Sequence, residues 1–294
     1  MNWKLNPEGI KEQYLNCLNE CFGHWGDSQL YEWVFYRECG LVKPDLFLLN
    51  TSDDDLMAGS ALTYRKLAIP GSDPISTGIM TGSWTLPNAR GKGCFTEIIS
   101  YSKKLVLNHK YNFLTAYVTE QNASFRRLRD FGSLLIPTYY IIVDNDLLLI
   151  NHKTIKEIDI NADSIRKCFQ LREQNLKNVI HYDYNLCEFE SQFIKRSGTK
   201  VRIFKIDNEY LITEENNHTV RILWSSSYSV VMIQVLLNWA KLYNKNVFFM
   251  STDSTWKENK DVKIIPGYFT VINSSLREID IDWNNINIQY GDKM

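Results

Sequence analysis

The sequence predicts an α+β protein in which helices flank a central sheet, with this arrangement present twice along the chain. Three observations support the prediction. A strand, a glycine-rich turn and an amphipathic helix follow one another over residues 75–106. The neighbouring segments are short apolar strands and helices with capping residues. Segments of the second half repeat segments of the first half in the same order.

Composition places the chain among ordinary globular proteins. Its 294 residues, 44% hydrophobic and 23% charged, fit one large domain or two ordinary ones. The net charge of −1 provides no bulk attraction to nucleic acid or to an acidic membrane surface. No apolar run approaches a membrane span, and no apolar signal core follows Met1–Leu5. We therefore expect a cytoplasmic protein without nucleic-acid or membrane partners; the pattern does not indicate an oligomeric state.

The cysteines and acidic residues show no metal-binding pattern. Six cysteines are scattered without a Cys-x-x-Cys pair, which is typical of reduced thiols. Cys17 and Cys21 lie one helical turn apart, where core packing is favoured over a ligand pair. The triplet Asp53–Asp55 lies in a Ser/Asp turn, where carboxylates usually serve the backbone. We expect no metal site.

The first half is predicted to begin with two helices and continue with strands. Pro7 starts a helix through Cys21, and Asp27 or Ser28 caps a second helix over Leu30–Glu38. The later elements, in order, are strands at 46–49, 56–69 and 75–86, a helix from the glycine-rich turn, a strand at 111–118, a polar cap and short helix within 119–132 that ends at Gly132, and a strand at 136–143.

The glycine-rich turn predicts a phosphate-binding site. Gly91 and Gly93 flank Lys92 where the helix begins, and glycine allows backbone to curve and approach a ligand closely. Free N–H groups and the helix dipole at that position favour an anion. Arg90 and Lys92 add formal charge. The turn fits neither the P-loop nor the dinucleotide-binding pattern, and the alternative is an ordinary exposed turn.

The stretch Arg90-Gly91-Lys92-Gly93 at the start of an amphipathic helix resembles the pyrophosphate-binding motif of the GNAT superfamily of acyl-CoA-dependent N-acetyltransferases. Arg90 and Gly93 match the motif, whereas Phe95 stands where its last small residue is expected. The resemblance implies a three-layer fold with a mixed, mostly antiparallel sheet, and acetyl-CoA as cosubstrate. The residues it implies for acetyl-CoA binding are Trp84, Thr85, Leu86, Arg90, Gly91, Lys92, Gly93, Cys94, Phe95, Asn122 and Ser124.

Residues 119–132 are similar to a second GNAT signature, a strand followed by Asn, a small polar residue, a short helix and Gly. Aligned on Gly132, Ser124 takes the small polar position, and Gln121 or, with a one-residue slip, Asn122 takes that of Asn. The family often carries a tyrosine general acid on this helix. Leu128 stands there instead, so the acid is not assigned by the motif.

Direct acetyl transfer needs a polarised carbonyl, a deprotonated amine and a stabilised thiolate. The resemblance implies that a backbone N–H near Thr85 or Leu86 bonds the acetyl carbonyl. Residues 75–86 contain no Asp, Glu or His, so Glu120 is the nearest candidate base, with water as the alternative. Tyr117 and Tyr139 are candidate acids. Cys94, at a helix N-terminus that lowers a thiol pKa, allows a covalent route, which lacks a nearby His.

The second half reads as a degenerate copy. Ile265–Ile272 matches Ile136–Val143, Asn244–Phe249 echoes His109–Leu114, and Trp224 echoes Trp84 before a helix. The segment following Trp224, Ser225–Ser229, contains no glycine, arginine or lysine, so it suits a helix cap and not a pyrophosphate. We therefore predict a GNAT acetyltransferase domain over 1–150 and a degenerate GNAT-like domain over 151–294 that binds no CoA.

The function expected from the resemblance is acyl transfer from acetyl-CoA to a small-molecule amine, such as an amino sugar or amino acid derivative. A non-catalytic acyl-CoA-binding or regulatory protein is the first alternative, because the usual acid and base are missing. A tRNA-dependent aminoacyl transferase is the second; the CoA-type loop and the near-neutral charge argue against it.

Overall fold

The computed structural model describes residues 1–144, 153–275 and 281–293. The helices in these ranges are α1 (Ile10–Phe22), α2 (Ser28–Tyr36), α3 (Cys94–Asn108), α4 (Ala123–Asp130), α5 (Ala162–Leu176), α6 (Leu186–Phe193) and α7 (Val230–Lys241). The strands are β1 (Asn2–Leu5), β2 (Asp45–Asn50), β3 (Leu56–Ala68), β4 (Ile75–Thr85), β5 (Phe113–Thr119), β6 (Leu134–Val143), β7 (Lys156–Ile158), β8 (His181–Asp183), β9 (Lys200–Ile206), β10 (Glu209–Glu215), β11 (Thr219–Ser225), β12 (Asn246–Ser251) and β13 (Lys263–Asn273).

The chain forms two compact units. Unit 1 comprises Met1–Leu67, Asp73–Ile136 and Tyr268–Asp282, and unit 2 comprises Ala68–Ser72, Pro137–Gly267 and Trp283–Met294. Most of β6 therefore belongs to unit 2, whereas the last residues of β13 belong to unit 1. The domain boundary expected near residue 150 lies outside the described residues.

In unit 1 the strand order is β1-β2-β3-β4-β5, followed by the end of β13. The first four strands pair antiparallel, and β4 pairs parallel with β5. A parallel neighbour requires a crossover, which α3 supplies between β4 and β5. This mixed, mostly antiparallel sheet with flanking helices confirms the predicted fold class. The short strand β1 is not predicted, because most of its residues are exposed and it shows no apolar pattern.

Local signals place most helices of unit 1 correctly. Asp27 caps α2 by accepting a hydrogen bond from the Leu30 N–H at 2.8 Å. Helix α1 begins at Ile10, later than predicted from Pro7, because Gly9 takes the N-cap position with a φ of 68°. The predicted inner face of α3 is buried at Ile98, Ile99, Leu105 and Val106, while Phe95 is partly buried against the same core.

Unit 2 repeats the arrangement. Its strand order is β6-β12-β11-β10-β9-β7, with β11 and β12 parallel and the other described pairs antiparallel. Helix α7 connects β11 to β12 as α3 connects β4 to β5. Ser229 caps α7 by accepting from the Met232 N–H at 3.2 Å, as the serine-rich segment predicts. The duplicated arrangement is thus confirmed.

Within the described ranges, no helix combines the length and the apolar composition that crossing a bilayer requires.

Candidate functional site

The end of β4 is bent by a β-bulge. Gly59 pairs with Trp84 and Ala61 pairs with Thr81, so Gly82 and Ser83 together face Ser60. Gly82 has a φ of 57°, a conformation that favours glycine. The Tyr14 hydroxyl donates to the Gly82 carbonyl at 2.9 Å and fixes the bulge from α1. The roles of Gly82 and Tyr14 were not identified from the sequence. The signal for Gly82 is a glycine inside a strand pattern, which indicates a bulge.

Beyond the bulge, β4 separates from β5. Their parallel pairing covers only Thr77–Ile79 with Phe113–Thr115, although both strands continue for several residues. On its other side β5 adjoins β13, and the Thr270 hydroxyl donates to the Ala116 carbonyl at 3.2 Å. The last residues of β4 therefore present an edge that β5 does not pair. Unpaired strand edges present N–H and C=O groups to a ligand.

Two backbone N–H groups, those of Thr85 and Leu86, are predicted to donate a hydrogen bond to an acyl carbonyl. In the structure only the Thr85 N–H is not bonded to β3. The Leu86 N–H donates to the Met57 carbonyl at 3.0 Å, so the expectation that it contacts an acyl carbonyl is corrected. Hydrogen-bonded and non-hydrogen-bonded pairs alternate along an antiparallel ladder. The next pair, Thr85 with Ala58, is therefore non-hydrogen-bonded, and the Thr85 N–H points away from β3. The Cys21 thiol lies 3.4 Å from the Thr85 carbonyl on this side.

The glycine-rich turn directs backbone N–H groups outward at the start of α3. Gly91 and Gly93 both have a φ of 80°, which explains why glycine occupies each position. A Cβ built on either glycine meets nothing within 4 Å, so the space beside the turn is open. Among the hydrogen bonds of the described residues, none is donated by the backbone N–H groups of Gly91, Gly93 or Phe95.

This turn fits the pyrophosphate of an acyl-CoA. The N–H groups that donate no hydrogen bond lie at the N-terminus of a 15-residue helix, where partial positive charge accumulates. The side chains of Arg90 and Lys92 are exposed beside them. Donors of this kind at the start of a helix suit a polyanion.

Three of the predicted cofactor residues lie partly or wholly in the core. Trp84 is only 2% exposed and packs edge-on against Tyr14 at a ring distance of 5.6 Å. Phe95 is half-buried against the apolar face beneath α3. The Cys94 thiol is buried and lies 3.5 Å from the Ala89 carbonyl. These side chains anchor the strand and the helix on either side of the turn.

Burial raises the pKa of the Cys94 thiol, in contrast to the lowering expected at a helix N-terminus. The thiol therefore stays protonated at neutral pH, which disfavours the covalent route. We expect Cys94→Ala to retain at least a third of the wild-type kcat with any amine acceptor that the protein acylates. Steady-state rates of thiol release measure this. A loss of a hundredfold or more with unchanged CoA affinity would restore Cys94 as a nucleophile.

The three residues predicted as acid or base, Glu120, Tyr117 and Tyr139, do not all lie in the same unit. Glu120 is exposed at the end of β5, and its carboxylate accepts a hydrogen bond from the Tyr268 hydroxyl at 2.7 Å. Tyr117 lies on β5 with its ring 5.2 Å from that of Phe269. Tyr139 belongs to unit 2 and is buried in the core of that unit. The structure thus places Glu120 and Tyr117 in unit 1 with the glycine-rich turn, and Tyr139 outside it.

The second signature forms the start of α4. Asn122 caps this helix by accepting from the Ser124 N–H at 3.1 Å, so its side-chain oxygen already has a backbone partner. A groove of about 630 Å³ runs along this helix start. Its lining residues are Glu120, Gln121, Asn122, Ala123, Arg126, Arg127 and Asp130. Arg126 and Arg127 supply positive charge there, and Leu128 points into the core.

Solved structures with a similar fold include GNAT proteins. A GCN5-related N-acetyltransferase from Anabaena variabilis is 15% identical with a TM-score of 0.65, covering 94% of this chain and 74% of that one. A tandem GNAT protein from the clavulanic acid biosynthesis pathway is 10% identical with a TM-score of 0.63, covering 94% of this chain and all of that one. A GCN5-related N-acetyltransferase from Kribbella flavida is 10% identical with a TM-score of 0.60, covering 91% and 70%.

At these identities the likeness establishes the fold: the chain has the GNAT fold in a tandem arrangement. No protein-family model matches the sequence, and no curated protein is significantly similar to it.

Proposed function

We propose that unit 1 transfers an acyl group, with acetyl-CoA as the donor, directly to the amine of a small molecule. The observation that carries the proposal is one continuous strand–turn–helix segment with two sets of outward N–H groups. The Thr85 N–H lies on the unpaired edge of β4, and the N–H groups at Gly91 and Gly93 lie at the start of α3. The first suits a thioester carbonyl and the second a pyrophosphate.

In this proposal the backbone does most of the binding and polarisation. The turn at Gly91–Gly93, with Arg90 and Lys92, holds the pyrophosphate, and the edge of β4 holds the extended arm that connects it to the thioester. An acyl-CoA supplies the activated acyl group. The Thr85 N–H donates to the carbonyl oxygen, where negative charge grows as an amine attacks. Holding both reactants in this geometry supplies a large part of the rate.

Glu120 is the proposed general base, and Tyr117 the proposed acid. The Glu120 carboxylate is held by the Tyr268 hydroxyl, whose ring stacks on Phe125 at 5.0 Å. A carboxylate positioned by a hydrogen bond to a stacked ring keeps one oxygen for a proton from the acceptor amine. The acceptor class, a small amine such as an amino sugar or amino acid derivative, follows from the resemblance.

The test of the function has two steps. Calorimetric titration with acetyl-CoA measures binding, and release of free thiol with a panel of amino sugars and amino acid derivatives measures transfer. We expect micromolar binding and amine-dependent thiol release above the hydrolysis rate. Absence of binding by the folded protein would contradict the whole proposal.

A second candidate function, acyl-CoA binding without turnover, is favoured by one observation. Leu128, at the position of the family's usual tyrosine acid, is 1% exposed in the core and carries no hydroxyl. Binding without thiol release for any amine in the panel would support this candidate.

Glu120→Gln tests the base. The amide keeps the hydrogen bond from Tyr268 but accepts no proton from the amine, so we expect kcat to fall by about ten- to a hundredfold. The acid limb of the kcat/KM profile should disappear, and CoA affinity should stay within twofold. Tyr268→Phe is the matched control, since it removes the positioning bond and leaves the carboxylate. Equal activity of wild type and Glu120→Gln at all pH values would leave water as the base.

A further inference from the structure

Unit 2 contains the same strand opening that carries the proposed site of unit 1. The parallel pairing of β11 with β12 covers only Thr219–Arg221 with Asn246–Phe248 and then stops. A bulge follows, because Ile212 pairs with Trp224 and Thr213 pairs with Ile222, which leaves Leu223 as the extra residue. Trp224 thus follows the bulge in β11 as Trp84 follows the bulge in β4.

The hydrogen-bond directions beyond the bulge also correspond. The Ser226 N–H donates to the Tyr210 carbonyl at 3.0 Å, as the Leu86 N–H donates to the Met57 carbonyl. By the alternation of the ladder, Ser225 turns its N–H and C=O away from β10, as Thr85 turns its N–H away from β3. Ser225 is therefore the counterpart of Thr85.

In unit 2 these groups are occupied by a side-chain amide. The Ser225 N–H donates to Gln289 Oε1 at 2.8 Å, and Gln289 Nε2 donates back to the Ser225 carbonyl at 3.3 Å. Oε1 also accepts from the Tyr228 hydroxyl at 2.9 Å, and Nε2 also donates to Asn287 Oδ1 at 3.4 Å. Gln289 is 4% exposed, so this amide is buried with all its hydrogen-bonding positions used.

The residues around Gln289 fill the rest of the opening. The Tyr290 ring packs edge-on against Phe248, in the last parallel pair, at 5.1 Å. A Cβ on Gly291 would lie 2.3 Å from the Phe193 ring and 2.7 Å from the carbonyl of Leu223, the bulge residue. Upstream, Ile180 accepts from the Asn287 N–H and donates to the Asn285 carbonyl, both at 2.8 Å. The segment 285–292 is thus seated along its length.

We infer that residues 285–292 are a built-in occupant of the opening between β11 and β12, here called the second cleft. The Gln289 carboxamide is bound there at the position where, in the proposed function, a ligand carbonyl or amide binds in unit 1. A carboxamide offers the same acceptor and donor as the amides of an extended ligand arm. Unit 2 therefore binds its own chain in place of acyl-CoA. This inference rests on the proposed function for its comparison with unit 1. It adds that the chain holds one acyl-CoA site, and that the second cleft is closed by a fitted segment as well as by its lack of a glycine turn.

The first test measures hydrogen exchange at individual amides by NMR. In the wild type we expect the Ser225 N–H to be strongly protected from exchange, although it forms no hydrogen bond with strand β10. In Gln289→Met, which conserves volume and removes the amide, its exchange should accelerate tenfold or more. The Ser226 N–H, bonded to Tyr210, should change less than twofold. Asn285→Ala is the matched control, since its amide bonds the Asn178 carbonyl outside the cleft.

Either of two results of the exchange measurement would by itself overturn the inference. One is a Ser225 N–H that exchanges at the rate of a free amide in the wild type, a measurement that needs no variant to fold. The other is unchanged Ser225 exchange in folded Gln289→Met.

The second test counts sites. Titration with CoA should saturate at one molecule per chain, and Gly93→Asp should remove that binding without leaving a second site. Two molecules per wild-type chain, one of which remains bound in folded Gly93→Asp, would overturn the inference. A single wild-type site that Gly93→Asp leaves unchanged would instead contradict the assignment of the turn in unit 1. No CoA binding at all would instead contradict the proposed function, and the exchange measurement would still decide whether residues 285–292 occupy the second cleft.

Discussion

Gly93→Asp is expected to weaken acetyl-CoA binding at least a hundredfold while the protein remains folded. Gly93 has a φ of 80° and open space around its Cβ position, so aspartate, which tolerates left-handed backbone, fits at a cost of about 1 kcal/mol. Its carboxylate would stand where the proposed pyrophosphate binds, cap the free N–H groups and repel the phosphates. A hundredfold loss corresponds to about 2.7 kcal/mol, in the range of one close like-charge contact near a surface.

Calorimetric titration with acetyl-CoA measures this loss. Gly9→Asp is the matched control, because Gly9 also stands at a helix N-cap with a φ of 68° and nothing within 4 Å. It carries the same charge change and the same backbone strain at α1. We expect normal binding by Gly9→Asp and similar melting temperatures for both variants. Equal affinity of Gly93→Asp and wild type would contradict the assignment of the turn.

Thr85→Pro is expected to lower kcat by about a hundred- to a thousandfold, the usual cost of losing one oxyanion donor. Proline removes the N–H together with the threonine side chain. The pair Thr85 with Ala58 is non-hydrogen-bonded, so the β3 ladder loses no bond, and proline is tolerated at such positions of a strand end. In unit 2 the corresponding Ser225 N–H donates to a side-chain carbonyl at 2.8 Å, which is the contact expected of Thr85.

Thr85→Ala separates the backbone from the side chain, since it keeps the N–H and removes the hydroxyl. We expect Thr85→Ala within threefold of wild type, and acetyl-CoA affinity of Thr85→Pro within tenfold, because the turn at Gly91–Gly93 is unchanged. Single-turnover thiol release with a good acceptor amine is the measurement. If both variants lose activity equally, the hydroxyl matters and the backbone N–H does not; if neither does, the carbonyl lies elsewhere.

Features that depend on local chain geometry were predictable from the residues. The turn at Gly91–Gly93 follows from the φ angles that glycine permits, and the N-caps at Asp27 and Ser229 follow from side chains that reach their own helices. The buried face of α3 follows from the spacing of apolar residues along a helix. The duplication was predictable for the same reason, because strands and caps recur in order.

Features that depend on partners distant in the sequence were not predictable from the residues. Whether Thr85 or Leu86 offers a free N–H depends on the register with Met57 and Ala58 on another strand. The Cys94 pKa depends on how much core covers the thiol, which outweighs the helix N-terminus. Tyr139 and Tyr117 lie on similar-looking strands, yet packing assigns them to different units.

The residues therefore determine that unit 1 has a glycine-rich turn at the start of a helix and that the corresponding segment of unit 2 has none, because both features depend on amino-acid identity within a few positions. Tertiary structure decides which backbone groups remain open beside each turn. In unit 1 the edge at Thr85 stays unpaired by β5, whereas in unit 2 residues more than 60 positions away bring Gln289 to Ser225. Such contacts are set by strand register and chain path, which sequence periodicity does not specify.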